Sequence, residues 1–83
     1  MSPVGKTAVL GLLEWVRRNR PSVRSLSGLP TDQFMALVTE YELSKGAAAI
    51  NSSGSNLRAK WESAHYCLSK YPTDREALAR YPE

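Results

Sequence analysis

Cysteine, histidine and phenylalanine occur once each in this 83-residue chain, as Cys67, His65 and Phe34. A lone cysteine excludes an internal disulfide, so a reducing, cytoplasmic compartment is the expectation. One cysteine and one histidine cannot supply the four ligands of a structural zinc site. On a helix, residues two apart project about 200° from each other, so His65 and Cys67 cannot meet as base and nucleophile. Both are expected to flank a core stripe: His65 beside Trp61 and Leu68, Cys67 beside Ala64 and Tyr71. Gly5-Lys6-Thr7 matches the end of a phosphate-binding loop, but the earlier glycine and the preceding strand that the loop requires are missing. Glu40 and Glu42, also two apart, diverge on a helix and read as a solvated face. No catalytic constellation can be assembled. The expectation is therefore a protein that is not an enzyme and that takes no metal, cofactor or small-molecule substrate.

Long apolar runs are missing too. The stretch from Ala8 to Val16 is broken by Gly11 and Glu14 and is far too short to span a bilayer. Its positive charge lies mainly on the C-terminal side, and it lacks a small-residue cleavage site, unlike a secretory signal. Trp15 and the adjoining arginines would let this segment lie on a membrane surface, but its apolar face is needed for a core. No membrane partner is expected.

What remains is helical periodicity. Val9, Leu12, Leu13 and Val16, widened by Ala8 and Trp15, mark a helix from about Gly5 to Asn19. Glu14 and Arg18 are placed for a surface pair, and Pro21 makes continuation unfavourable. Phe34, Leu37, Val38 and Tyr41 mark a further helix, with Thr31 as cap, Asp32 in the first turn and Gly46 as the stop; alanine would also allow it to run on through Ala47–Ile50. Between them, "PSVRSLSGLP" is ambiguous, with Val23 and Leu26 able to face the core from a single helical turn. Near the end, Thr73-Asp74-Arg75-Glu76 forms a capping box for a short helix. That helix carries a Glu76–Arg80 pair and docks Leu78 and Tyr81 on the core.

The stretch "AAAINSSGSNLRAKW", residues 47–61, admits two structures. Leu57, Ala59 and Trp61 alternate with polar residues, as in the return strand of a hairpin, and a hairpin after helices would make a winged DNA-binding domain. Leu57, Trp61, Ala64, Leu68 and Tyr71, however, follow one another at steps of four, three, four and three. The longer pattern favours a helix from about Ser55 to Tyr71, capped by Ser53 or Ser55. The fold expected is a single all-α domain over residues 1–83: a compact bundle or orthogonal array of four to five short helices. At this size the stability margin is thin, and homodimerisation would be a natural supplement.

Eleven basic residues against eight acidic give a formal charge of +3. The excess is local. Residues 1–30 hold Lys6, Arg17, Arg18, Arg20 and Arg24 against Glu14 alone, whereas residues 31–44 hold Asp32, Glu40 and Glu42 with no basic residue. The cluster Arg17, Arg18, Arg20 and Arg24 is the candidate binding site, for phosphates or for an acidic protein surface. Trp15, Tyr66 and Tyr81 are the candidate aromatic contacts, unless they complete the core.

The stretch "VLGLLEWVRRNRPSVRSLSGLPTDQFMALVTEYE", residues 9–42, resembles the helix-turn-helix family in outline. It reads as a first helix, a short second one, a turn at Gly28-Leu29 and a longer helix bearing Phe34. The resemblance implies nucleic-acid binding. Three features depart from the pattern: Arg24 stands where the family has a small buried residue, Pro21 shortens the second helix, and Asp32, Glu40 and Glu42 burden the would-be recognition helix. The first expectation is accordingly a small regulatory protein that occupies a partner protein's surface as adaptor or inhibitor, of the kind found in phages and mobile elements. The second is a DNA-binding regulator with a divergent helix-turn-helix.

Overall fold

A computed structural model of the chain describes residues 3–46 and 55–82, without the side chains of 55 and 56. Four helices occur among the described residues: α1 (Lys6–Asn19), α2 (Thr31–Ser44), α3 (Ser55–Leu68) and α4 (Asp74–Ala79). α2 packs against both α1 and α3, and α4 rests on α3. The radius of gyration, 11.8 Å, is that of a compact globule of this length. No strand occurs among the described residues, and Trp61 lies within α3, almost fully buried. The helix reading of residues 57–61 therefore holds, and a wing strand there is excluded.

Each helix ends for a local reason. Gly5 precedes α1 in an extended conformation, and its carbonyl accepts from the amides of Ala8 and Val9. At the other end the Arg20 amide donates to Val16 O at 2.7 Å, the Asn19 side-chain amide donates to Trp15 O at 2.9 Å, and Pro21 follows. α2 stops at Ser44 and the chain turns through Gly46 at φ +79°, a left-handed conformation that glycine adopts without steric cost. The run-on through 47–50 is thus not taken from Ser44, and those residues, like the proposed cap Ser53, lie outside the described ones. Ser55 is itself the first residue of α3. α3 ends at Leu68, short of Tyr71, and the chain turns before Pro72.

Two expected caps resolve differently. Thr73 Oγ1 accepts from the Glu76 amide at 3.2 Å, the forward half of the capping box. Thr31 does not cap α2. Pro30 holds the cap position, and Thr31 Oγ1 instead lies 3.4 Å from His65 Nδ1, across to α3. The Arg80 guanidinium, expected beside Glu76, lies over the Tyr71 ring at 5.6 Å.

The core follows the predicted stripes closely. Val9, Leu12 and Val16 of α1, Phe34, Leu37, Val38 and Tyr41 of α2, and Trp61, Ala64 and Leu68 of α3 are buried. Tyr41 meets Trp61 edge-on, with ring centroids 6.4 Å apart. α1 and α2 approach closely where Gly11 faces Tyr41: a Cβ built on Gly11 would stand 2.4 Å from the Tyr41 hydroxyl. Tyr81 is also core. Its hydroxyl donates to Val4 O at 2.6 Å, while the Val4 amide donates to Lys60 O, so residues 4 and 81 are fastened together on α3.

Two expectations are overturned. Glu42 is not on a solvated face. It is 9 % exposed, and its Oε2 accepts from Trp61 Nε1 at 3.2 Å. A buried indole N–H requires an acceptor, and Glu42, next to Tyr41 and one turn beyond Val38, supplies it. The single helical turn left open for residues 21–30, which the helix-turn-helix outline needs as its second helix, is also not formed. The segment is a series of turns in which Leu26 is buried and Val23 half-buried. Pro21 and Gly28 bracket too few residues for a helix to gain from its own hydrogen bonds. The helix-turn-helix outline therefore lacks its second helix.

Candidate functional site

The turn segment would be unstable alone, because its amides have no helical partners. α4 supplies one. Asp74 Oδ1 accepts from the Ser27 amide at 2.8 Å, the Leu26 amide at 3.1 Å and the Ser25 hydroxyl at 3.1 Å; Oδ2 accepts from the Leu26 amide at 2.9 Å. Ser25 and Ser27 hydroxyls pair at 2.9 Å. On the other side His65 fastens the same connection. Its Nε2 lies 2.7 Å from Leu29 O, a pure acceptor, so Nε2 carries the proton, and the ring lies against Phe34 at 4.8 Å. The two anchors stand 47–49 and 36 residues from their targets in sequence. They convert a loop into a fixed wall.

That wall, together with α1 and the start of α4, encloses an open groove of about 650 Å³. The groove's apolar surface comes from Leu10 and Leu13 of α1, Val23 and Leu26 of the turns, and Leu78 of α4. Leu10 is 46 % exposed, unusual for a leucine in mid-helix. Three arginines line the groove: Arg17 from α1, Arg24 from the turns and Arg75 from α4, all exposed. Glu14 and Asp74 line it as well, but each is engaged. Glu14 pairs with Arg18 at 3.0 Å, and Asp74 holds the turn amides.

The four arginines singled out in the sequence are thus not one site. Arg17 and Arg24 face the groove together. Arg18, about 100° further around the helix than Arg17, is tied to Glu14 and lines an adjoining, shallower depression with Trp15 and Gly11, which shares Leu10 and Glu14 with the groove. Arg20 forms an ion pair with Glu40 of α2 and donates to Asn19 O at 3.0 Å. Among the described residues, Arg17, Arg24 and Arg75 have no carboxylate within ion-pair distance. The basic and acidic segments of the sequence partly neutralise each other through the Arg20–Glu40 pair, and Glu42 is largely buried, with Lys45 Nζ 3.9 Å from its Oε1. The charge excess of residues 1–30 thus leaves Arg17 and Arg24 uncompensated at the groove, joined there by Arg75.

Arg75 and Leu78 were missed as site residues. No local signal marks them, because they join the site only through the Asp74 contact with residues 25–27. Of the three aromatic candidates, Tyr66 is 66 % exposed, Trp15 is half-buried against Tyr41 at 6.1 Å, and Tyr81 belongs to the core. His65 is buried, beside Phe34 and the Leu29–Thr31 connection, whereas Cys67, half-buried, lines a shallow surface with Tyr66 and Lys70. They point to different surroundings, as their spacing requires. Among the described residues no group of three or more His, Cys, Asp or Glu side chains is placed to hold a metal ion, and no helix is long and apolar enough to cross a membrane. No protein-family model, curated protein or solved structure matches the chain.

Proposed function

We propose that the chain is a small, non-enzymatic regulatory protein that acts by occupying the surface of a partner protein, as an adaptor or inhibitor. The observation that carries this reading is the groove: an apolar surface with partly exposed Leu10, rimmed by arginines that have no carboxylate partner within the described fold. Apolar area beside unneutralised guanidinium groups is the composition of a protein-binding patch, where arginine is enriched. The engagement of His65 with the Leu29–Thr31 connection supports a role without catalysis, and the single cysteine fits a cytoplasmic setting. The test is affinity capture with the tagged chain from its native host, with cross-linking. A protein recovered at near-stoichiometric yield is the expected result; recovery of none refutes the reading.

Binding of duplex DNA is the second reading, favoured by the same three free arginines. It predicts a mobility shift at low salt that weakens steeply as salt rises and is lost when Arg17, Arg24 and Arg75 become alanine.

A further inference from the structure

We infer that the groove between α1, the 23–26 turns and α4 receives an acidic amphipathic segment of a partner protein, with a bulky apolar side chain seated over Leu10 and Leu78 and carboxylates meeting Arg17, Arg24 and Arg75. The inference rests on the protein-binding reading above and specifies its ligand.

Charge complementarity selects the occupant. Arg18 and Arg20 have carboxylate partners in the fold, and so does Arg58, 3.3 Å from Glu62. Arg80 has none and lies over the Tyr71 ring; Arg17, Arg24 and Arg75 have none among the described residues either, yet three different elements bring them around one depression. Guanidinium groups present paired N–H donors that match a carboxylate in two-point geometry, and they are less strongly hydrated than ammonium groups. Such groups around a polar basin would suit free phosphate. Here more of the basin is apolar than polar, and an ion alone would leave Leu10, Leu13 and Leu78 against water. An occupant that satisfies both must carry apolar and acidic groups together, a few ångströms apart, as a short peptide segment does.

Shape favours the peptide over the competing polymer. Duplex DNA is read by convex elements that enter its grooves, with phosphates held along a basic ridge. A concave site with its arginines set around a depression offers no such ridge. The volume, about 650 Å³, lies within the range of sites that engulf a small ligand or a few side chains. The site is also preorganised. The Asp74 carboxylate holds the amides of Leu26 and Ser27, next to Arg24, so that wall need not be ordered when the segment binds.

The test is a display selection of random short peptides against the intact chain. Selected peptides are then titrated by fluorescence anisotropy and mapped by amide chemical-shift perturbation. Enrichment of peptides with a bulky apolar residue flanked by Asp or Glu is expected, with shifts centred on residues 10–17, 23–26 and 74–78. Charge reversal of the rim (R17E/R24E/R75E) is expected to weaken binding by at least about tenfold, as is L10D, whereas K70E, a charge reversal at an exposed residue over Tyr66 and outside the groove, changes it by less than about twofold. All these positions are exposed, and far-UV circular dichroism checks that each variant is folded. Selected peptides without net negative charge, shifts confined to another surface, equal affinity for the rim variant, or a failure to select any peptide each overturn the inference. So does a pattern of groove shifts produced by duplex DNA and not by acidic peptides. Host-protein capture with the rim variant separates the two levels. A partner still captured by R17E/R24E/R75E places binding elsewhere and leaves the protein-binding role standing, while no capture by the unmodified chain removes that role.

Discussion

Asp74→Ala is expected to be the most damaging substitution of a surface-accessible residue in this chain. The half-buried carboxylate accepts from two backbone amides and one hydroxyl at 2.8–3.1 Å, all from the 25–27 turns. Hydrogen bonds to a charged group contribute about 1.5–3 kcal/mol each, and an amide left without a partner costs about 1–3 kcal/mol if water cannot reach it. The site is partly open, so the lower end applies to each amide, and the expected loss is about 3 kcal/mol. A chain of 83 residues has only about 4–12 kcal/mol in total. The melting temperature should fall by about 12–24 °C, at about 4–8 °C per kcal/mol for a domain of this size.

Asp32→Ala is the matched control. Asp32 also lies in the first turn of a helix, but it is exposed and bonds only the adjacent Gln33 amide at 3.1 Å. Its removal should cost about 0.3–1 kcal/mol, the usual helix-dipole contribution. Asp74→Asn should fall between the two, since its amide NH₂ must face donors. Urea denaturation followed by circular dichroism measures all three. If Asp74→Ala and Asp32→Ala agree within about 0.5 kcal/mol, the turns are not held by Asp74 and the account of the groove wall is wrong.

Three further outcomes follow from the core. Gly11→Ala should destabilise by about 1–3 kcal/mol despite alanine's helix preference of about 1 kcal/mol, and Tyr41→Phe in the same chain should recover most of the loss, because the 2.4 Å contact is to the hydroxyl and the next ring atom is 3.4 Å away; additivity of the two substitutions in denaturation would refute this. Glu42→Leu should cost about 1–3 kcal/mol by leaving Trp61 Nε1–H without its acceptor, whereas Glu42→Gln keeps an oxygen there and should cost less; tryptophan fluorescence during unfolding measures both. The Tyr81 phenol is pushed up from its ordinary value near 10 to about 12, by burial first and by the neighbouring Cys67 second. Because the folded value is the higher one, its contribution to stability is intact below pH 10 and is lost as pH rises from 10 through about 12. Ultraviolet titration should show one late tyrosine that Tyr81→Phe removes, and its persistence in that variant would disprove the assignment.

The helices were legible because their information is local. The α3 stripe from Leu57 to Leu68 outlasts the strand alternation, and Val9, Leu12 and Val16 repeat at helical steps whatever lies opposite them. Where the sequence misled, the deciding partner was distant. Thr31 has the chemistry of a cap, but His65, 34 residues on, takes its hydroxyl, and Pro30 accepts the cap position. Glu42 has the chemistry of a surface residue, but the one polar side-chain atom of Trp61 lies within its reach, 19 residues away. A helical-wheel argument places a side chain on a face and cannot say what the neighbouring helix lacks.

The same limit explains the division of the arginine cluster. Arg17, Arg18, Arg20 and Arg24 are close in sequence, and proximity suggests a common target. On α1, consecutive residues diverge by about 100°, so Arg17 and Arg18 serve different sides of one helix. Arg20 then meets Glu40, which the sequence assigns to an opposing acidic face, and each removes the other from the inventory of free charge. Arg75, absent from the cluster, enters the groove because the residue before it, Asp74, is drawn to the amides of the turns. The candidate site is therefore a consequence of one carboxylate's hydrogen bonding. Asp74 both closes the wall and delivers Arg75, so a loss of stability and a loss of groove binding should appear together in Asp74→Ala, while R75E should lower binding with little change in stability.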